Sequence, residues 1–145
     1  MSNQQFNPYQ HPNPNQAWSY QPTPPSMIPN EDRSAAAMAH FSTIIAMVLS
    51  AGWLSFVGPL VIWLLYKDRS PYVRRASAGA FNFNIWLTLA TIVGWILVFT
   101  VILAPVGGLI MLVTSVLQIW CHVRAGLKAL KGEEYHYRHQ TGILS

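Results

Sequence analysis

The sequence predicts an all-α membrane protein. It would form a small bundle of three to four hydrophobic helices, a helical hairpin followed by two long spans, with a short amphipathic surface helix between them. Three observations predict this. Hydrophobic residues make up 52% of the chain and charged residues only 10%, where a soluble domain carries about 25% charged residues. Residues 34–66 contain no Asp, Glu, Lys or Arg, and neither do residues 76–123. A basic stretch, Lys67 to Arg75, separates the two blocks. A spanning helix needs about 20 apolar residues to cross roughly 30 Å of hydrocarbon, and each block supplies at least that many.

The chain divides into a polar tail (1–33), a transmembrane helical domain (34–131) and a polar C-terminal tail (132–145). Residues 1–30 have no charged side chain and are rich in Gln, Asn and Pro. Too little apolar surface is present to offset the entropy of ordering, so disorder is expected. Phe6, Tyr9, Trp18 and Tyr20 are set in this uncharged background, and Pro22 to Pro25 has PxxP spacing. A tether that displays a recognition tail is therefore one reading. The first apolar run starts near Ala35 without a basic leader, so insertion is expected to use the internal helices.

Block 34–66 is too long for one upright span, and Gly52 to Pro59 interrupts it. Gly52 suits a left-handed helix end. A hairpin follows, with helix 1 near Ser34 to Ala51 and helix 2 near Val57 to Tyr66. The competing reading is one kinked span. Ser70-Pro71 is a helix start, with Ser as N-cap and Pro in the first turn. It would open a surface helix, Tyr72 to Gly79, that carries Arg74 and Arg75 against anionic headgroups. Block 76–123 as one helix would run roughly 70 Å, so it must turn back. Ala104-Pro105 is the break, between spans near Phe81 to Leu103 and Val106 to Val123.

In the hairpin topology both far-side turns are uncharged. The membrane-surface basic residues Lys67, Arg69, Arg74, Arg75, Arg124 and Lys128 then fall on one side with Arg33, Lys131 and Arg138. The positive-inside rule makes that side cytoplasmic. The expected location is the plasma (inner) membrane, multi-pass, with both termini inside. Trp53, Trp63, Tyr66, Trp86 and Trp120 fall near span ends, as in aromatic belts.

Polar residues inside the blocks carry the only site expectation. Thr114, Gln118 and His122 recur every four residues and share a helix face. Asn84, Thr88 and Thr91, spaced by four and then three, share a face as well. His40, Asn82, Asn84, Gln118 and His122 are all expected in the inner third of the membrane, as an intramembrane polar cluster. Interhelical hydrogen bonding is its plainest role; a polar vestibule or conduction path is the sharper one. Two histidines alone make a poor metal set, so no metal and no cofactor are expected. No carboxylate lies in the spans, and no phosphate loop, HExxH or nucleophile elbow is present. Cys121 has no partner cysteine. The chain is read as no enzyme and no nucleic-acid binder. Its partners would be the lipid bilayer, other membrane proteins or itself; any small-molecule ligand is unknown.

Four segments carry a family resemblance. They are Ala39-His40-Phe41; the run Gly58-Pro59-Leu60-Val61-Ile62-Trp63-Leu64-Leu65-Tyr66-Lys67-Asp68-Arg69-Ser70-Pro71-Tyr72-Val73; Ala80-Phe81-Asn82-Phe83-Asn84; and Lys131-Gly132-Glu133-Glu134-Tyr135-His136-Tyr137. On these the chain resembles the bacterial membrane proteins of domain-of-unknown-function family 4870, which are similar to the Tic-twenty subunit of the chloroplast translocon. The resemblance covers about residues 35–138. It implies a multi-helix membrane protein, either a non-enzymatic subunit of a membrane assembly or a pore or translocation component. Ala76 and Ala78 stand where that family often has His and Lys.

Overall fold

In the computed structural model, residues 23–137 and 142–145 are described. The expectations for residues 1–22, their disorder and recognition role included, lie outside them, as does Arg138. A 3-10 turn at Pro25–Met27 leads into four helices: α1 (Asn30–Leu49), α2 (Val57–Tyr66), α3 (Pro71–Phe99) and α4 (Ala104–Leu130). No strand occurs among the described residues.

The chain turns fully between α1 and α2. Ala51 and Gly52 have φ of 51° and 90°, which reverses the chain where the glycine was expected to end a helix. Gly58 on α2 then lies against Ser42 on α1; a Cβ there would come within 2.5 Å of the Ser42 hydroxyl. The hairpin is therefore formed, and the single kinked span is not. Gly52 sits level with Thr91 of α3, eight residues before that helix ends. The hairpin stops roughly 12 Å short of the α3 terminus.

One end of the bundle gathers four helix termini. The Ser70 hydroxyl donates to the Asp32 carboxylate at 2.7 Å, and the Tyr72 hydroxyl donates to the carbonyls of Ala129 and Glu133. Both termini of the helical domain and the α2–α3 connection thus share one end. The α1–α2 turn lies toward the other, where Trp95 Nε1 donates to the Ala51 carbonyl.

Three boundaries differ from expectation. Helix α1 starts at Asn30, not Ser34. Glu31 and Asp32 occupy its first turn, where the helix dipole favours negative charge, and Ser70 fixes one of them. Second, the separate amphipathic surface helix is not formed. Ser70 does cap Val73 N–H, and Pro71 opens the helix, but α3 runs unbroken through Gly79 into the span. Tyr72, Val73, Ser77 and Ala78 are buried, and nothing from Ala76 to Phe81 breaks a helix. Third, the polar C-terminal tail returns to the bundle, as described below. The α3–α4 break falls as expected, with Pro105 in the first turn of α4.

Burial is inverted relative to a water-soluble protein. The interior holds His40, Thr43, Ser55, Asn84, Thr88, Thr91, Thr114, Gln118 and His122, all 5% exposed or less. The exterior carries Leu49, Trp86, Phe99, Ile102, Leu112, Val116 and many other large apolar side chains. Lipid is the solvent in which that distribution is stable. Helices α3 and α4 are each long and apolar enough to cross a membrane.

Small residues set the packing. Ala36, Ala39 and Ala125 are fully buried, and Gly126 admits the Phe41 ring. Replacing Ser70 with Ala should lower stability by about 1 kcal/mol through the lost cap, read as a lower unfolding midpoint in detergent. An unchanged midpoint would mean that neither the cap nor the bond to Asp32 contributes.

Candidate functional site

The candidate site lies in the bundle core, between the end where the termini gather and the α1–α2 turn. Asn84 anchors it. Its amide nitrogen donates to the Ser55 carbonyl at 3.3 Å and to Thr43 Oγ1 at 3.2 Å. A carbonyl can only accept, so Ser55 fixes which way the amide points. Asn84 Oδ1 then faces His122 Nε2 at 3.1 Å, and that nitrogen must carry the proton. Neutral His122 therefore presents a bare Nδ1. Tyr137 Oη lies 3.2 Å from it and 3.0 Å from His40 Nδ1. The phenol has one proton. It donates to His122 and accepts from a protonated His40 Nδ1. One directed chain runs His40 to Tyr137 to His122 to Asn84 to the Ser55 carbonyl.

Beyond Asn84 lies a layer of hydroxyl pairs. Ser55 Oγ and Thr88 Oγ1 are 3.0 Å apart, and Thr91 Oγ1 and Thr114 Oγ1 are 3.2 Å apart. Each pair ties two segments of the bundle. Gln118 lies between His122 and Thr114 on α4, 1% exposed. Its Oε1 has no hydrogen-bond partner among the described residues.

The five residues expected in the cluster divide. His40, Asn84 and His122 meet. Gln118 is on the same interior face but bonds to none of them. Asn82 faces elsewhere: it donates to the Leu144 carbonyl at 2.8 Å and accepts from the Leu144 N–H at 2.9 Å. Residues two apart on a helix point about 200° apart, so Asn82 and Asn84 cannot share a face.

Tyr137, Thr43 and Ser55 complete the network and were not foreseen. Thr43 follows His40 by three residues, a spacing that could have revealed it. Tyr137 carried no such signal, since it follows a charged stretch. It is 6% exposed and stacks on Phe83 with centroids 4.4 Å apart. Burial pushes its phenol well above the usual tyrosine value. The same strap is held by Glu134, 2.9 Å from Arg75.

The basic residues keep to the end that bears the termini. Arg69, Arg74, Arg124 and Lys128 are exposed, while Lys67 and Arg75 are partly covered. Lys67 lies over the Trp63 ring and Arg124 over the Trp120 ring, both 5.4 Å from the centroid. Each pair combines an indole with a cation one turn nearer the end, the arrangement of a headgroup layer. Among the described residues no group of three His, Cys, Asp or Glu could hold a metal ion.

A family model described as the magnetosome magnetite crystal formation protein family (MamF_MmsF) matches residues 31–143. No curated protein and no solved structure matches the chain. The family match overturns the resemblance to domain-of-unknown-function family 4870 and to the Tic-twenty translocon subunit. The segments that carried that resemblance, Ala39 to Tyr137, all lie inside the matched residues. A translocation role therefore loses its support.

Proposed function

Since the chain belongs to the magnetosome magnetite crystal formation protein family, we propose that it is a multi-pass, non-enzymatic subunit of the membrane around a forming magnetite crystal, and that it acts there through other membrane components. The inverted burial of the bundle is the observation that carries the membrane setting. The turns at the end away from the termini, residues 50–56 and 100–103, contain no carboxylate. With the termini in the cytoplasm, those turns face the compartment. The chain then offers the mineral no acidic surface of its own, which favours a role in assembling or holding the membrane machinery.

Deleting the gene in a magnetite-forming host tests this reading. Electron microscopy should show crystals changed in size or shape, restored by the wild-type chain. Crystals indistinguishable from those of the parent would refute it. Topology has its own test. Protease added to intact isolated magnetosomes should remove an N-terminal epitope tag and spare one placed in the 50–56 turn. Protection of the N-terminal tag would reverse the orientation, because the exterior of the isolated vesicle corresponds to the cytoplasm.

A further inference from the structure

We propose that His40, His122 and Tyr137 form a binding site for a divalent transition-metal ion, with the C-terminal strap supplying the third ligand.

The argument is geometric. Three side chains from three separate segments converge on one point. The Tyr137 oxygen lies 3.0 and 3.2 Å from the two imidazole Nδ1 atoms. Two ligands on one metal, with bonds of about 2.1 Å at a tetrahedral angle, stand about 3.4 Å apart. The observed separations need to open by only a few tenths of an ångström. The ring positions agree. Two imidazoles on one tetrahedral ion have centroids roughly 5 Å apart, and those of His40 and His122 are 5.7 Å apart. The Tyr137 centroid is 6.2 Å from that of His40 and 5.8 Å from that of His122, so the three rings are about equally spaced.

Tautomer state supplies the second argument. A metal-bound histidine typically donates its other ring N–H to an oxygen, which fixes the ring and raises its basicity. His122 already does so. Asn84 Oδ1 holds its Nε2 proton, Ser55 holds Asn84, and the Nδ1 lone pair is left aimed at the site. His40 must move its proton from Nδ1 to Nε2 to ligate. Tyr137 must lose its phenolic proton to solvent, so binding of the ion releases one proton. The resulting phenolate cancels one of the two charges of a divalent ion. A trivalent ion would leave a larger uncompensated charge in a buried site, which disfavours it. Two imidazoles and a phenolate suit the middle of the first transition row and leave a fourth position open.

This proposal does not rest on the family reading, so its failure would leave that reading untouched. The probe is Co(II), added to the full-length chain in detergent. One equivalent should bind with the intense visible d–d absorption of a four-coordinate ion, and Zn(II) should displace it. Affinity should rise with pH between pH 6 and 8. Asn84→Leu should weaken binding about 10- to 100-fold through the lost support of His122. Tyr137→Phe should abolish the four-coordinate spectrum. Circular dichroism of each variant checks that the helices persist. A folded wild-type chain with no d–d absorption would overturn the proposal, leaving a hydrogen-bonded triad only. An unaltered spectrum in a folded His122→Ala variant would overturn it equally.

Discussion

Replacing Gly107 with valine should cost about 3 kcal/mol or more, while the same change at Gly108 should cost nothing measurable. The two glycines are neighbours on α4 but face opposite surroundings. A Cβ on Gly107 would collide with the Gly94 carbonyl oxygen and lie 2.8 Å from Val98 N and 3.0 Å from Leu97 Cβ. Two of those atoms belong to the α3 backbone, which cannot rotate aside as a side-chain tip can. Overpacking a close contact costs about 1–3 kcal/mol where side chains can adjust, and here the two helices must separate. A Cβ on Gly108 meets nothing within 4 Å. Valine there projects into lipid and should slightly favour the helix over glycine. Thermal unfolding in detergent, followed by circular dichroism, gives both midpoints. Equal midpoints for the two variants would mean that α3 and α4 do not cross at Gly94 and Gly107.

The same crossing shows what local pattern conveys and what it does not. The uncharged blocks located the apolar helices, because charge is expensive in lipid wherever it falls. Gly52 and Pro105 located both reversals, because backbone conformation is a local property. Thr114, Gln118 and His122 fell on one buried face as their spacing required. Partners across the bundle were not legible. By residue type alone, Gly79, Gly94, Gly107 and Gly108 are equal candidates for close helix packing. Gly94 and Gly107 lie where the two helix backbones approach each other and Gly108 does not, and that depends on how the helices are rotated. Tyr137 is the sharper case. It is separated from His40 by 97 positions and from α4 by a glycine turn, Gly132, with φ of 76°. Nothing local indicates that the chain re-enters the bundle there. The absence of the surface helix has the same origin. Ser70-Pro71 set its start correctly, but its end would have needed a breaker. The buried Tyr72 and Val73 hold it in line with the span.

Asn84→Leu should have the next largest effect, about 3 kcal/mol. Leucine is close to asparagine in volume, so the loss comes from hydrogen bonding and not from a cavity. Three bonds disappear. The Thr43 hydroxyl can still donate to the Ala39 carbonyl at 3.2 Å. The Ser55 carbonyl and the His122 N–H are left facing an alkyl group in the buried core. Interhelical hydrogen bonds in membrane proteins contribute about 0.6–2 kcal/mol each, and a stranded buried partner costs about 1–3 kcal/mol. Removing both partners of a bond is cheaper than removing one. Adding His122→Phe to Asn84→Leu removes that stranded imidazole proton but takes from the Tyr137 hydroxyl the acceptor it has in His122 Nδ1, so the pair is read from the full cycle and not from the double variant alone. The double-mutant cycle should give a coupling of about 1 kcal/mol or more between the two positions. Strict additivity would mean that Asn84 and His122 are not bonded, and the chain of tautomers from His40 to Ser55 would lose its middle link.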